Sequence, residues 1–267
     1  MPRIAILTDS TAYLPYETIN RYHIEVVPLK VNWKGETYQD GIDLTPQEFY
    51  TRLENETELP TTSQPSIQDF IQVFERLAQD HDAIIAPLIS SGISGTVASA
   101  QAAAAQFNRI PVEVIDSHTT SAGLALIVLV AARAAAGGKN AAQIKEAAMA
   151  AIKNFNTFFM VDTLKYLHLG GRIGGASRYL GSALNIKPIL YFNDAGKIDA
   201  LERVRTRRKA LDRLAELVIA KANGRPVHLG LIHANAFENA RYVGKALEAS
   251  LKCEEVITLE LSPVIGS

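Results

Sequence analysis

The sequence is poor in the residues that advertise chemistry. It has 267 residues but a single cysteine, Cys253, and a single tryptophan, Trp33. One thiol cannot close an internal disulfide, which excludes a disulfide-framed secreted scaffold. Neither sign of charge is in excess: 27 basic and 28 acidic residues give a formal net charge of -1, so no global field favours nucleic acid or an anionic membrane. Long hydrophobic runs are missing as well. The most apolar one, Ala122 to Ala132, falls far short of the roughly 20 residues that cross a bilayer. The start, Met1-Pro2-Arg3-Ile4, passes into a strand pattern without the apolar core of a signal peptide. These absences predict a cytoplasmic protein with no membrane span, recognising partners by local chemistry.

Metal chemistry is also poorly provided for. The six histidines include no H-E-x-x-H pair, and no cysteine cluster accompanies them, so neither a metal nor another cofactor is expected.

An apolar fraction of 48% over this length suits two domains, placed at residues 1–156 and 157–267. The organising stretch is Ala83 to Gln101, AIIAPLISSGISGTVASAQ. Its Ile- and Leu-rich start reads as a buried parallel strand, and its Ala-rich end as a helix for which Ser94 is the expected N-cap. In open α/β sheets ligands bind beyond the carboxyl ends of strands, where a helix N-terminus offers free N–H groups and a positive dipole end. The same strand-to-hydroxyl handover recurs at Thr8-Asp9-Ser10-Thr11 and at Asp116-Ser117-His118-Thr119. Glu25 to Trp33 reads as one strand returning through Lys34-Gly35, and Leu59 to Ser66, with two prolines, as a stiff loop carrying Thr62 and Ser63. Strand and helix alternate up to Asn154, predicting a parallel sheet with helices on both faces. Beyond Phe155, hairpin and helix signals predict a two-layer α+β domain with a mixed sheet.

Several familiar chemistries fail on spacing. Gly92-Ile93-Ser94-Gly95-Thr96 has no lysine for a Walker loop. In Gly170-Gly171-Arg172-Ile173-Gly174-Gly175, Arg172 occupies the place of a glycine that a dinucleotide fingerprint requires. Ser94 misses the nucleophile-elbow spacing because Gly95 follows it directly. A small serine hydrolase or acyl transferase would have to use Ser94 or Ser10 with His118, and no base is evident beside either serine. Thr62, Ser63 and Ser94 are uncharged donors near helix starts, a set better suited to holding an anion than to attacking an ester. Arg203, Arg205, Arg207, Arg208 and Lys209 gather charge at one helix start, where cations oppose the dipole, an arrangement that favours an anionic partner.

Seven pieces then carry a resemblance. They are Thr8-Asp9-Ser10-Thr11, Thr62-Ser63-Gln64-Pro65-Ser66, Ser90 to Thr96, Val114-Ile115-Asp116-Ser117, Gly170-Gly171-Arg172-Ile173, Lys187-Pro188-Ile189 and Val204-Arg205-Thr206. In this order they resemble the DegV family along essentially the whole chain. The resemblance implies a Rossmann-like three-layer N-terminal domain, a two-layer C-terminal domain, and one buried long-chain fatty acid such as palmitate, stearate or oleate. It implies a carrier rather than an enzyme, presenting the acid to a separate fatty acid kinase that makes an acyl phosphate for phospholipid synthesis. By motif position Thr62 and Ser94 would bind the carboxylate with Ser63 close by, and Arg172 and Arg205 would meet the kinase. The family pattern continues beyond Pro263-Val264-Ile265-Gly266-Ser267 with a histidine that joins the carboxylate site in some members, whereas this sequence stops at Ser267.

Overall fold

The hydrophobic runs set the strands, and the computed structural model describes them over residues 2–181 and 186–267. β1 (Ile4–Asp9) leads through a 3-10 turn (Ser10–Ala12) and α1 (Tyr16–Tyr22) to β2 (Glu25–Val27), β3 (Lys30–Trp33) and β4 (Glu36–Gln39). α2 (Pro46–Leu53), β5 (Thr61–Ser63), α3 (Ile67–Leu77), β6 (Ala83–Leu88), α4 (Thr96–Gln106), β7 (Val112–Asp116), α5 (Ser121–Ala136) and α6 (Ala141–Asn154) follow. The chain divides into two units, Met1–Phe155 with Leu261–Ser267, and Asn156–Glu260.

In the first unit, β2, β1, β6 and β7 form a parallel sheet in that order. One face is sealed by Phe70 and Phe74 of α3 and Val97, Ala100 and Ala103 of α4 against Leu7, Ile84, Ala86 and Leu88. The alternate residues Ile6 and Ile85 are equally buried, and α5 and α6 pack on the same strands. α5 is apolar all round because it is a central core helix. Among the described residues no helix is long and apolar enough to cross a membrane.

Two expectations are corrected here. Glu25 to Trp33 is two strands in two different sheets, because Pro28 has no N–H to continue a ladder. Thr61–Ser63 is a strand, pairing antiparallel with Lys30–Asn32, where a loop was expected. The prolines on either side hold it extended, and a partner some thirty residues away turns that extended backbone into a ladder. At the starts of α2 and α3, Thr45 with Glu48 and Ser66 with Asp69 both form complete capping boxes.

The second unit contains β8 (Phe158–Met160), α7 (Lys165–Leu169), β9 (Lys187–Phe192), β10 (Ile198–Val204), α8 (Arg207–Ala222), β11 (Val227–His233), α9 (Phe237–Ser250) and β12 (Cys253–Glu260). Antiparallel and parallel pairings are divided between two sheets, β10-β9-β8 and β11-β12. Leu211 and Ala215 of α8 and Val243 and Leu247 of α9 bury against Leu229 of β11.

The last residues, including α10 (Pro263–Gly266), group with the first unit although the sequence reading assigned everything after 157 to the second. Val264 lies in the cluster of Leu29, Val31, Trp33, Phe49 and Tyr50, and Tyr50 Oη donates to the Leu261 carbonyl at 3.1 Å. Val264 N also donates to Asp40 Oδ1 at 3.1 Å, while Ser10 Oγ donates to Asp40 Oδ2 at 2.7 Å. Asp40 is 1% exposed, and burial pushes its carboxyl up to about 6 against the hydrogen bonds from Ser10 and Val264 that favour the charge. An acid whose folded value is raised binds protons more tightly when folded, so this group's contribution falls as pH rises from about 4 to about 6 and stays low above that. A displacement of this size corresponds to about 3 kcal/mol at most. Asp40→Asn, which keeps an acceptor and loses the charge, should therefore raise the unfolding midpoint at pH 7.5 and change it little at pH 4.5. Urea titrations at the two pH values check this, and parallel behaviour of wild type and variant would show that Asp40 carries no such penalty.

Candidate functional site

The strand order 2-1-6-7 places a topological switch point between β1 and β6, since the connection from β1 runs to β2 on one side while the later strands add on the other. Crevices at such points, beyond the carboxyl ends of the strands, are where open α/β sheets bind ligands. Both strands end there in polar residues that are almost fully buried: Thr8 and Asp9 at the end of β1 with Ser10 and Thr11 directly after it, and Ser90 after β6. Asp9 is the tie between them. Its Oδ1 accepts from Thr11 N at 3.0 Å and Thr11 Oγ1 at 2.6 Å, and its Oδ2 from Ile89 N at 2.7 Å. Burial raises the Asp9 carboxyl and these three donors oppose the rise.

Ser94 follows β6 in a turn held by its N–H on the Ser90 carbonyl at 3.1 Å. It is not the helix cap, as the sequence suggested. The cap is Gly95, and Ser94 stands one residue earlier, its Oγ 2.9 Å from Thr96 Oγ1 and accepting from Thr96 N at 3.3 Å. The hydroxyl is thereby fixed beside the start of α4 and remains half-buried.

Thr62 and Ser63 are presented by β5, opposite Val31 and Lys30, and both are half-buried. Ser63 Oγ accepts from Asn32 Nδ2 at 3.4 Å. Directly after them, the Gln64 carboxamide lies against Gly95, where a Cβ would come within 2.6 Å of its Nε2. A side chain at 95 would displace Gln64, so the glycine permits the close approach of the two segments. The structure thus brings Thr62, Ser63 and Ser94 into one neighbourhood of the first unit. Gln64 is the contributor that sequence reasoning quoted only as part of a motif. Its one visible signal was position, between the hydroxyl pair and the proline that precedes the α3 cap.

Other candidates separate from this group. Ser10 is 5% exposed and spends its hydroxyl on Asp40, with its oxygen accepting from Leu29 N at 3.1 Å. His118 makes no side-chain hydrogen bond among the described residues, and its Nδ1 is buried without a partner. Neither serine therefore has the base that a nucleophile needs. No group of three or more His, Cys, Asp or Glu side chains among the described residues could hold a metal ion.

Arg172 and Arg205 both belong to the second unit and are exposed. Arg172 follows α7 and donates to the Gly170 carbonyl at 2.6 Å, and Arg205 lies in the turn between β10 and α8. The cations around Arg205 are not equivalent. Arg207 pairs with Asp162, and Arg208 stacks 3.9 Å from the centre of the Tyr242 ring and pairs with Asp212 at 3.5 Å. Arg205 and Lys209 have no acidic partner among the described residues, which leaves their charge to solvent or to another molecule.

The family model for DegV, described as an uncharacterised protein of the DegV family, matches residues 3–267. Protein DegV of Bacillus subtilis is 38% identical over 267 residues, spanning 99% of this chain and 94% of the relative. A crystal structure of DegV from Bacillus subtilis, described as a fatty acid binding protein, superposes with a TM-score of 0.91 at 35% identity, covering 100% of this chain and 95% of the other. A Thermus thermophilus protein of the family, described by its fatty acid binding, gives 0.88 at 34% identity over 99% of this chain and 94% of the other. With a family model matched over nearly its full length and relatives of this identity and coverage, the chain belongs to the DegV family.

Proposed function

We propose that the protein binds one long-chain fatty acid, holds its carboxylate with Thr62, Ser63 and Ser94, and presents it to a fatty acid kinase for conversion to an acyl phosphate. The observation that supports the head-group assignment is the seating of Gln64 on Gly95, the residues that directly follow Ser63 and Ser94. Hydroxyl and amide donors without a neighbouring base orient an oxyanion and leave it chemically untouched. The solved relatives described by fatty acid binding support the ligand class.

Magnitudes divide the labour between head and tail. Burying a C16 chain at about 0.8 kcal/mol per methylene contributes on the order of 10 kcal/mol, against about 0.3 to 2 kcal/mol for a carboxylate at a helix N-terminus. The tail therefore sets affinity, and the hydroxyls decide which end of the ligand is presented. We assign the tail to the second unit, whose half-buried Phe158, Phe159, Met160, Tyr191 and Phe192 supply apolar surface.

Thr62→Ala and Ser94→Ala should each weaken palmitate binding by about 1 to 3 kcal/mol, the cost of leaving a partly buried carboxylate short of a donor, with the fold retained. Fluorescent fatty-acid displacement measures this. Wild-type affinity in both variants, together with equal binding of palmitate methyl ester, would place the carboxylate elsewhere.

Arg205, exposed and without an acidic partner among the described residues, is the clearest kinase-facing cation, and Arg172 joins it in our assignment. Exposed charges act mainly on association rate, and that steering weakens as salt shortens the screening length from about 10 Å at 0.1 M. Arg205→Glu should slow acyl-phosphate formation by a fatty acid kinase while bound lipid stays constant, and Arg172→Glu should behave alike. Coupled kinase turnover with lipid content on the same samples checks this; loss of lipid would instead put these arginines in the lipid site.

A further inference from the structure

The start of α5 holds polar atoms that nothing among the described residues satisfies. Five buried side-chain polar atoms among the described residues have no hydrogen-bond partner, and three of them, His118 Nδ1, Thr120 Oγ1 and Ser121 Oγ, fall within four consecutive residues. Thr120 is 8% exposed and Ser121 3%, so solvent does not reach them freely. Leaving a buried polar group without a partner is costly unless something polar meets it. Thr120 is moreover the N-cap of α5, in extended conformation, yet its hydroxyl does not cap. Threonine at this position ordinarily turns its oxygen to the second or third helical N–H.

The surroundings say what kind of group would fit. α5 is 16 residues long, and its N-terminus presents the positive end of the helix dipole. The nearest acid in the chain, Asp116, is already occupied by backbone N–H groups of Ser91 at 3.2 Å and His118 at 3.0 Å. The turn is held rigidly, since a Cβ on Gly123 would strike the Phe155 ring at 2.4 Å and Thr119 Oγ1 at 2.6 Å. It is also tied to the loop that carries Ser94: Ser90 N donates to the Thr119 carbonyl at 2.8 Å, and Ser94 N to the Ser90 carbonyl at 3.1 Å.

We propose that the entrance of α5 is an oxyanion subsite, with the Thr120 and Ser121 hydroxyls and His118 Nδ1 as the groups that receive a carboxylate or phosphoryl oxygen. It is separate from Thr62, Ser63 and Ser94 and lies one loop further along the same sheet edge. Two hydroxyls and a ring nitrogen supply donors to an anion, and the helix dipole favours negative charge over a neutral ligand.

The test follows backbone amides 120–123 of the delipidated full chain by NMR while inorganic phosphate, acetate and palmitate are added separately. A saturable shift with at least one of them is expected. Ser121→Gly removes the hydroxyl and suits the positive φ of 54° at this residue, so it should fold and bind that anion about tenfold more weakly. A response to phosphate alone identifies a phosphoryl ligand, and it should survive Thr62→Ala, which separates this subsite from the hydroxyl set proposed for the fatty acid. A response to palmitate and acetate that survives Thr62→Ala identifies a carboxylate ligand of this subsite, whereas one that Thr62→Ala abolishes overturns the proposal, because the turn then belongs to the hydroxyl set. No saturable shift with any probe, or equal affinity in wild type and Ser121→Gly, overturns the proposal and leaves the hydroxyls holding water only.

Discussion

One buried carboxylate holds the working end of this molecule in place. Asp9 sits at the carboxyl end of β1, fully enclosed, and its oxygens collect N–H and O–H donors from its own turn and from Ile89 at the end of β6. Burying a charge is costly unless donors surround it, and removing those donors is costlier still. The two strand ends that diverge at the switch point are therefore kept at a fixed spacing. Everything proposed about ligand binding depends on that spacing, because the turn that carries Ser94 starts at Ser90, directly after Ile89.

A second buried carboxylate, Asp40, extends the same logic to the chain's last residues. Ser10 on the turn after β1 and Val264 near the C-terminus both donate to it, so β1, the Asp40 turn and the segment Leu261–Ser267 share one polar contact beneath the apolar cluster of Trp33, Phe49 and Tyr50. The polar groups at this edge fall into two kinds. Some, such as Asp9 and Asp40, are saturated by the protein itself and serve the fold. Others, the Thr120 and Ser121 hydroxyls, are buried without a hydrogen-bond partner among the described residues.

Much of this was legible in the sequence. Apolar runs located the parallel strands, and the failed Walker, Rossmann and elbow spacings removed three chemistries. The motif order pointed to the family. What could not be read depended on partners distant in sequence. Thr61–Ser63 looked like a loop because its antiparallel partner lies about thirty residues earlier, and the return of Val264 to the first unit depends on a buried acid more than two hundred residues away. Ser94 looked like a cap because serine favours that position, but the preference did not show that Gly95 would take the cap while Ser94 turned back to Thr96. The role of Gln64 needed the absence of a side chain at Gly95 to be seen in three dimensions.

The central claim is that the protein holds one long-chain fatty acid. Its most direct test is organic extraction of the purified protein followed by mass spectrometry, with protein quantified on the same sample. The account predicts close to one equivalent of an acyl chain of about fourteen to eighteen carbons, long enough for its burial energy to survive purification. Extraction that returns no acyl chain, from protein that also fails to take up added palmitate, would contradict it.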